Sequence, residues 1–199
     1  MANDPKKIRF AKNGALYVAP APVEGGTGGT VVPTALGDGK APPAGYKAMG
    51  YADEGGVTLT PAVETQPVNA WQSSVPVLYN VTSSSFSVKA TLLETNELTT
   101  EMFFGSQWYE VMDAEAKPTG VYRLDLASTP EFSDISLVVD WNQGAILYRC
   151  VIPRVTISDR GAIQLSRTEP GKFELTMESL DFKGLLGYVL TNDDITKAA

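Results

Sequence analysis

The side chains best able to do acid–base or metal chemistry in this 199-residue chain are its carboxylates. It has 23 Asp and Glu against 16 Lys and Arg, no histidine and one cysteine, Cys150. Asp53-Glu54 stands before Gly55-Gly56, a composition that suits a turn, and Asp193-Asp194 has no third ligand beside it. Glu174 and Glu178 share a face of an extended strand but lie about 13 Å apart at the ordinary strand rise. That exceeds the ~9.5 Å upper limit for two carboxylates that cooperate in hydrolysis. Without histidine there is no Ser-His-Asp or Cys-His nucleophile and no imidazole zinc site. A single cysteine excludes an internal disulfide framework and CxxC motifs. A carboxylate pair, a Ser-Lys pair or an oxygen-ligand metal site is the chemistry left open. No enzymatic site and no cofactor is expected. Cys150, within Leu147-Tyr148-Arg149-Cys150-Val151-Ile152, is expected to point inward and pack as a small apolar residue.

Two further segments bear on ligands. Lys6-Lys7-Ile8-Arg9-Phe10 is a basic patch with an interleaved aromatic, the pattern of a nucleic-acid contact. The formal charge of −7 argues against tight nucleic-acid binding, which rests largely on Lys and Arg neutralising phosphates. The patch therefore reads as an arm that meets acidic protein surface. Gly37-Asp38-Gly39-Lys40 lacks the upstream glycine of a phosphate-binding loop and does not open a helix. No apolar run approaches the ~20 residues of a membrane helix, and the patch Ala15–Ala19 is too short for a secretion leader.

Charge is divided along the chain. Residues 1–19 carry four basic groups and one acid, and residues 61–119 carry two basic groups and seven acids. Basic and acidic stretches in one chain fit a head-to-tail meeting of copies. Within residues 20–44, six are Gly and five are Pro, a composition unsuited to regular structure. This segment is expected to be a flexible loop that orders on a partner.

The elements that position these groups are mostly strands. Phe86, Val88, Ala90 and Leu92 alternate with Ser85, Ser87, Lys89 and Thr91, the period of a half-buried strand. Ile135, Leu137, Val139 and Trp141 alternate likewise, and Asn142-Gln143-Gly144 then predicts a three-residue hairpin loop into a second strand from Ala145. Pro153 in that strand suits an edge or a bulge. Phe173, Leu175 and Met177 define another strand, with shorter ones at 14–19, 57–60, 77–81 and 121–126. Thr95–Gly105 reads as a helix of about three turns, capped by Thr95 or Asn96 and ended by Gly105. Glu94, Glu97 and Glu101 are expected to form an acidic stripe along it. The fold class is mainly β, two packed antiparallel sheets in a sandwich or barrel-like arrangement flanked by one short helix, with 1–199 a single domain.

The order of the pieces carries a resemblance. An Asn13-Gly14-Ala15-Leu16-Tyr17-Val18 strand and the Gly/Pro loop precede Gly50-Tyr51-Ala52-Asp53-Glu54-Gly55-Gly56-Val57. Ala70-Trp71-Gln72 follows, then Leu92-Leu93-Glu94-Thr95-Asn96-Glu97 before the helix. This resembles the major tail protein, the tail tube subunit, of long-tailed, non-contractile bacteriophages, continuously over about residues 13–105 and more loosely to about 190. The resemblance implies hexameric rings stacked into a hollow tube through which double-stranded DNA passes during ejection without tight binding. It also implies strands from all subunits closing an inner barrel, and tape measure and tail terminator proteins as partners. Localisation in the virion tail, after assembly in the host bacterial cytoplasm, goes with it, and no membrane is involved. By position, residues 1–12 and 184–199 match arms and residues 20–44 an inter-ring loop. Lys6, Lys7, Arg9, Glu94, Glu97, Glu101 and Trp71 are the candidate inter-subunit residues, and Glu174, Glu178 and Asp181 the candidates for the lumen. The rival expectations are a β-sandwich binding module, such as a virion decoration or adhesin domain, and a lipocalin-like carrier. The discriminating property is assembly into rings or filaments.

Overall fold

The computed structural model describes residues 5–24, 30–37 and 41–195, and of Lys6 the backbone alone. Among the described residues the protein is mainly β, with two antiparallel sheets, one short helix and no closed barrel. A 3-10 turn, Pro5–Lys7, precedes β1 (Asn13–Pro20) and the two-residue β2 (Lys47–Ala48). Two long strands follow, β3 (Ala52–Val68) and β4 (Leu78–Leu92), then α1 (Glu97–Phe104). After the helix come β5 (Trp108–Met112), β6 (Pro118–Leu124), β7 (Ile135–Gln143), β8 (Ile146–Arg160), β9 (Phe173–Ser179) and β10 (Tyr188–Thr191). The large sheet runs β2-β1-β7-β8-β9-β4-β3, with β10 also on β8, while β5 and β6 form a separate ribbon.

β8 is the corner of the large sheet. Its first half pairs with β7 and β10, and its second half, from Val155, pairs with β9. Between these halves the register with β7 shifts, so that Pro153 and Arg154 stand opposite Ser136 alone. This is the bulge that a proline without an N–H tolerates inside a strand. The bend lets the sheet curl. β1 and β3, five places apart in the strand order, line one cavity of about 390 Å³ together with Val139 and Trp141 of β7.

The alternating residues of β1, β4, β7, β8 and β9 fill the space inside this curl. Leu16, Val88, Leu92, Leu137, Ile152, Leu175 and Met177 are fully or almost fully buried, with Cys150 among them. Burial pushes the Cys150 thiol up to about 11, so it packs as an apolar residue and is not a nucleophile.

Three local expectations are corrected. The β7–β8 loop has two residues, 144–145, because Gln143 pairs with Ile146; Gly144 occupies its first position at φ 65°. The helix is eight residues, nearer two turns than three. Asn96 caps it by accepting the Thr99 N–H at 2.8 Å, and Gly105 ends it at φ 68°. A side chain at Gly105 would also meet the Phe132 ring at 2.9 Å. Finally, residues 57–60 are one part of the 17-residue β3. The strand runs on through Pro61 and Pro67 as an exposed ribbon with β4.

Candidate assembly surfaces

The outer surface of the large sheet has two unlike halves. Over β1, β7 and the first half of β8, the outward residues Tyr17, Ala19, Val138 and Val151 form a second small core with Tyr46. Val32 packs on it, Tyr188 donates its hydroxyl to the Pro33 carbonyl at 2.7 Å, and Arg149 donates to the Ala35 carbonyl at 2.9 Å. Beneath this cover Arg149 makes a bidentate pair with Asp140, at 2.8 and 2.6 Å, with both side chains nearly buried. Within the segment expected to be a flexible loop, residues 32–36 are thus laid over this chain's own sheet; residues 25–29 and 38–40 lie outside the described residues. The physical reason is the apolar character of Tyr17, Val138 and Val151, which a solvated sheet face would leave exposed.

The other half is uncovered and polar. Thr58 and Thr60 of β3, Ser87, Lys89 and Thr91 of β4, Glu174, Thr176 and Glu178 of β9, and Thr156 and Asp159 of β8 share one outward face by their cross-strand register. It holds Asp159, Glu174 and Glu178 against the single Lys89. Lys89 pairs with Glu174 at 3.0 Å, while Glu178 stands opposite Ser87 and Thr156. This face therefore brings together two of the three acids expected to line a lumen. Asp181 lies past the end of β9, in a turn where it accepts the Gly184 N–H at 3.4 Å. The face ends in two unpaired edges: β3 pairs with β4 alone, and among the described residues no strand pairs with the far side of β8 beyond Val155.

The candidate inter-subunit residues fall in three places. Arg9 makes a bidentate contact with Asp193, both bonds 2.8 Å, and Tyr148 donates its hydroxyl to the same carboxylate at 2.5 Å. These bonds, the Arg9 contact foremost, hold the Asp193 carboxyl well below the usual carboxylate range. Lys7 donates to the Asp194 carbonyl, and Tyr148 stacks flat on Trp141 with centroids 5.2 Å apart. Lys7 and Arg9 are thus clasped to residues 193–194 beside the 144–145 turn, and residues 188–191 of the expected C-terminal arm are strand β10. The Lys6 side chain, residues 1–4 and residues 196–199 lie outside the described residues.

Glu94 and Glu101 hold local structure in place of a shared acidic stripe. Glu94 precedes the helix and accepts the Tyr51 N–H at 2.8 Å, and Glu101 accepts the Trp108 N–H at 2.9 Å. Glu97 is exposed on the first turn. Trp71 sits fully exposed at the tip of the β3–β4 ribbon. Sequence reasoning missed the rest of that ribbon, the β5 strand and the Asp140–Arg149 pair. The available signal for the ribbon was the recurrence of Val63, Val68, Val75, Val77, Tyr79 and Val81 in a stretch with one charged residue, Glu64.

A family model described as phage tail tube protein matches residues 1–199 of this chain. No curated protein matches it.

Proposed function

Because the chain belongs to the phage tail tube protein family, whose role is structural and whose place is the virion tail, we propose that its copies close into hexameric rings and stack into a hollow tube for DNA. The observation that carries this reading is the polar half-face of β3, β4, β9 and β8, bounded by two unpaired edges. A sheet edge is a template for another chain. Four antiparallel strands are an even number, so β3 of one copy and β8 of the next, related by rotation, meet antiparallel and continue the same ladder. A ring joined this way uses two different patches, the heterologous contact that closes into a cycle.

The polar half-face then lines the bore. Three carboxylates against one lysine give a wall that repels phosphate, so DNA slides past it without the counterion-releasing contacts that create affinity. Glu178 and Asp159 stand opposite no basic residue, and Glu174 is partly neutralised by Lys89. The covered half of the sheet, with residues 32–36 over it, faces away from the bore. Tape measure and tail terminator proteins are the proposed further partners, and the host bacterial cytoplasm the proposed place of assembly. We assign no catalysis to the subunit.

Negative-stain microscopy of the purified protein tests this. Rings or tubes with an open bore are expected. Dispersed monomers at high concentration would instead favour a β-sandwich binding module.

A further inference from the structure

We propose that the ring contact is a two-rung ladder with a single register, in which Leu59 and Val57 of β3 on one copy pair with Ile157 and Arg160 of β8 on the next. The register presupposes the ring joined through these two edges that is proposed above.

Which backbone groups are free follows from counting across the sheet. The Leu180 N–H donates to the Arg154 carbonyl and the Gly161 N–H to the Glu174 carbonyl, both at 2.9 Å. Hydrogen-bonding direction alternates along a strand. Glu174, Thr176 and Glu178 therefore turn their backbone groups to β8, and Phe173, Leu175 and Met177 turn theirs to β4. Opposite these, Leu92, Ala90 and Val88 of β4 face β9, which leaves Lys89 and Ser87 to bond Thr58 and Thr60 of β3. Val57 and Leu59 thus direct their N–H and C=O groups out at the free edge. Pro61 is next in that series, where a missing N–H is tolerated. On β8 the same count leaves Ile157 and Arg160 directed outward. The extra residue Ser158 absorbs the register shift between them, so they stand opposite Met177 and Leu175, two places apart on β9. They have the spacing of alternate residues, as Val57 and Leu59 do.

The two edges also end together. On β3, residues 53–56 make an excursion opposite Thr91 alone, which stops the regular edge before Val57, and Pro61 stops it after Thr60. On β8, Val155 is already paired with Ile135 of β7, and the strand finishes at Arg160. Laid antiparallel, Val57 meets Arg160 where both edges stop, and Pro61 reaches the place where β7 takes over.

Other registers fail on named residues. A slip of one residue sets core-facing Leu59 against outward Thr156, and every side chain changes face. A slip of two in one direction sets Leu59 against Val155, whose edge Ile135 occupies. In the other direction it sets Ile157 against Pro61, which has no N–H to give. In the register that remains, half-buried Val57 and Leu59 adjoin half-buried Ile157, so the apolar margins of two cores close on each other. Thr60 then faces Thr156 on the polar side.

Thr60 and Thr156 make a facing pair with no hydrogen bonds between them, their Cα atoms about 4.5 Å apart, within the span of a disulfide. Thr60→Cys with Thr156→Cys should link copies on mild oxidation of tubes, in a series of oligomers that ends at the closed ring. Thr58→Cys with Thr156→Cys, which fits only a two-residue slip, should link at least tenfold less; buried Cys150 contributes to neither. Normal tubes that stay unlinked in the first variant, or that link equally in the second, overturn the register and leave the tube reading intact. Hydrogen exchange on tubes of the unmodified chain reads the same contact without substitution. The amides of Val57, Leu59, Ile157 and Arg160 should exchange at least tenfold more slowly in tubes than in dispersed subunits. Unchanged exchange at these four overturns the ladder, and an unmodified chain that forms neither rings nor tubes overturns both the ladder and the tube reading.

Discussion

At the scale of single residues, the fold places its charges in two environments with different consequences. Arg149 and Asp140 are paired beneath residues 32–36, where water is largely excluded. Removing one partner of such a pair leaves an uncompensated buried charge, at a cost of about 3–5 kcal/mol. Arg149→Ala is therefore expected to lower the unfolding free energy by about that amount, read from urea denaturation. The Arg9–Asp193 clasp is peripheral and acts through pH. The Asp193 carboxyl is depressed below its ordinary value of 3.8, so its stabilising contribution is fully present above that pH and fades as pH falls through the depressed folded value. As pH falls from about 4 towards that depressed value the protein should progressively lose resistance to exopeptidase trimming past Arg9 and Asp193, and Asp193→Asn should show that loss already at neutral pH. Equal trimming of both proteins at pH 7 would contradict the clasp. Neither pair was legible in the sequence. Arg9 and Asp193 are 184 positions apart, and no local pattern joins them. Asp140 and Arg149 are opposite each other only because the hairpin loop has two residues. The three-residue loop read from Asn142-Gln143-Gly144 shifts every partner.

At the scale of elements, periodicity found the strands whose faces differ and missed those whose faces do not. Residues 86–92 and 173–177 alternate because one side is core, 135–141 alternate although β7 is buried on both faces, and each is a strand in the structure. The distal half of β3 has water on both sides, and the strand read at 57–60 runs on through Pro61 and Pro67, which an edge strand accommodates. The 20–44 segment read as an unattached loop because composition reports what a chain cannot form locally. It does not report that Val138 and Val151 need a cover. Helix ends, by contrast, were written in residue type: Asn96 and Gly105 cap it as expected. Asn96→Ala should cost about 1 kcal/mol through the unsatisfied Thr99 N–H. Gly105→Ala should cost more than 1 kcal/mol, since alanine resists a positive φ and its methyl meets Phe132. Thermal melts of the two variants should rank in that order.

At the scale of the whole molecule, the negative charge acquires a location. Lys7 and Arg9 of the basic N-terminal end contact Asp194 and Asp193 of the same chain, and Glu94 and Glu101 accept backbone N–H groups. The acids that remain available, Glu178 foremost, lie on a polar half-sheet with unpaired edges. Replacing Glu178 by Lys should leave tubes intact, because the side chain contacts no neighbouring strand's charge, and should slow DNA passage by adding a phosphate contact per subunit. Ejection kinetics of phage carrying the variant report this, and unchanged kinetics would place Glu178 away from the bore. The central claim concerns which surface encloses the DNA path, and a helical cryo-electron-microscopy reconstruction of tubes assembled from the purified protein tests it most directly. The account predicts six-fold rings whose bore is lined by the outward side chains of β3, β4, β9 and the end of β8, with Glu178 in the lumen. A bore lined by residues 32–36, or the failure of the protein to form tubes, would contradict it.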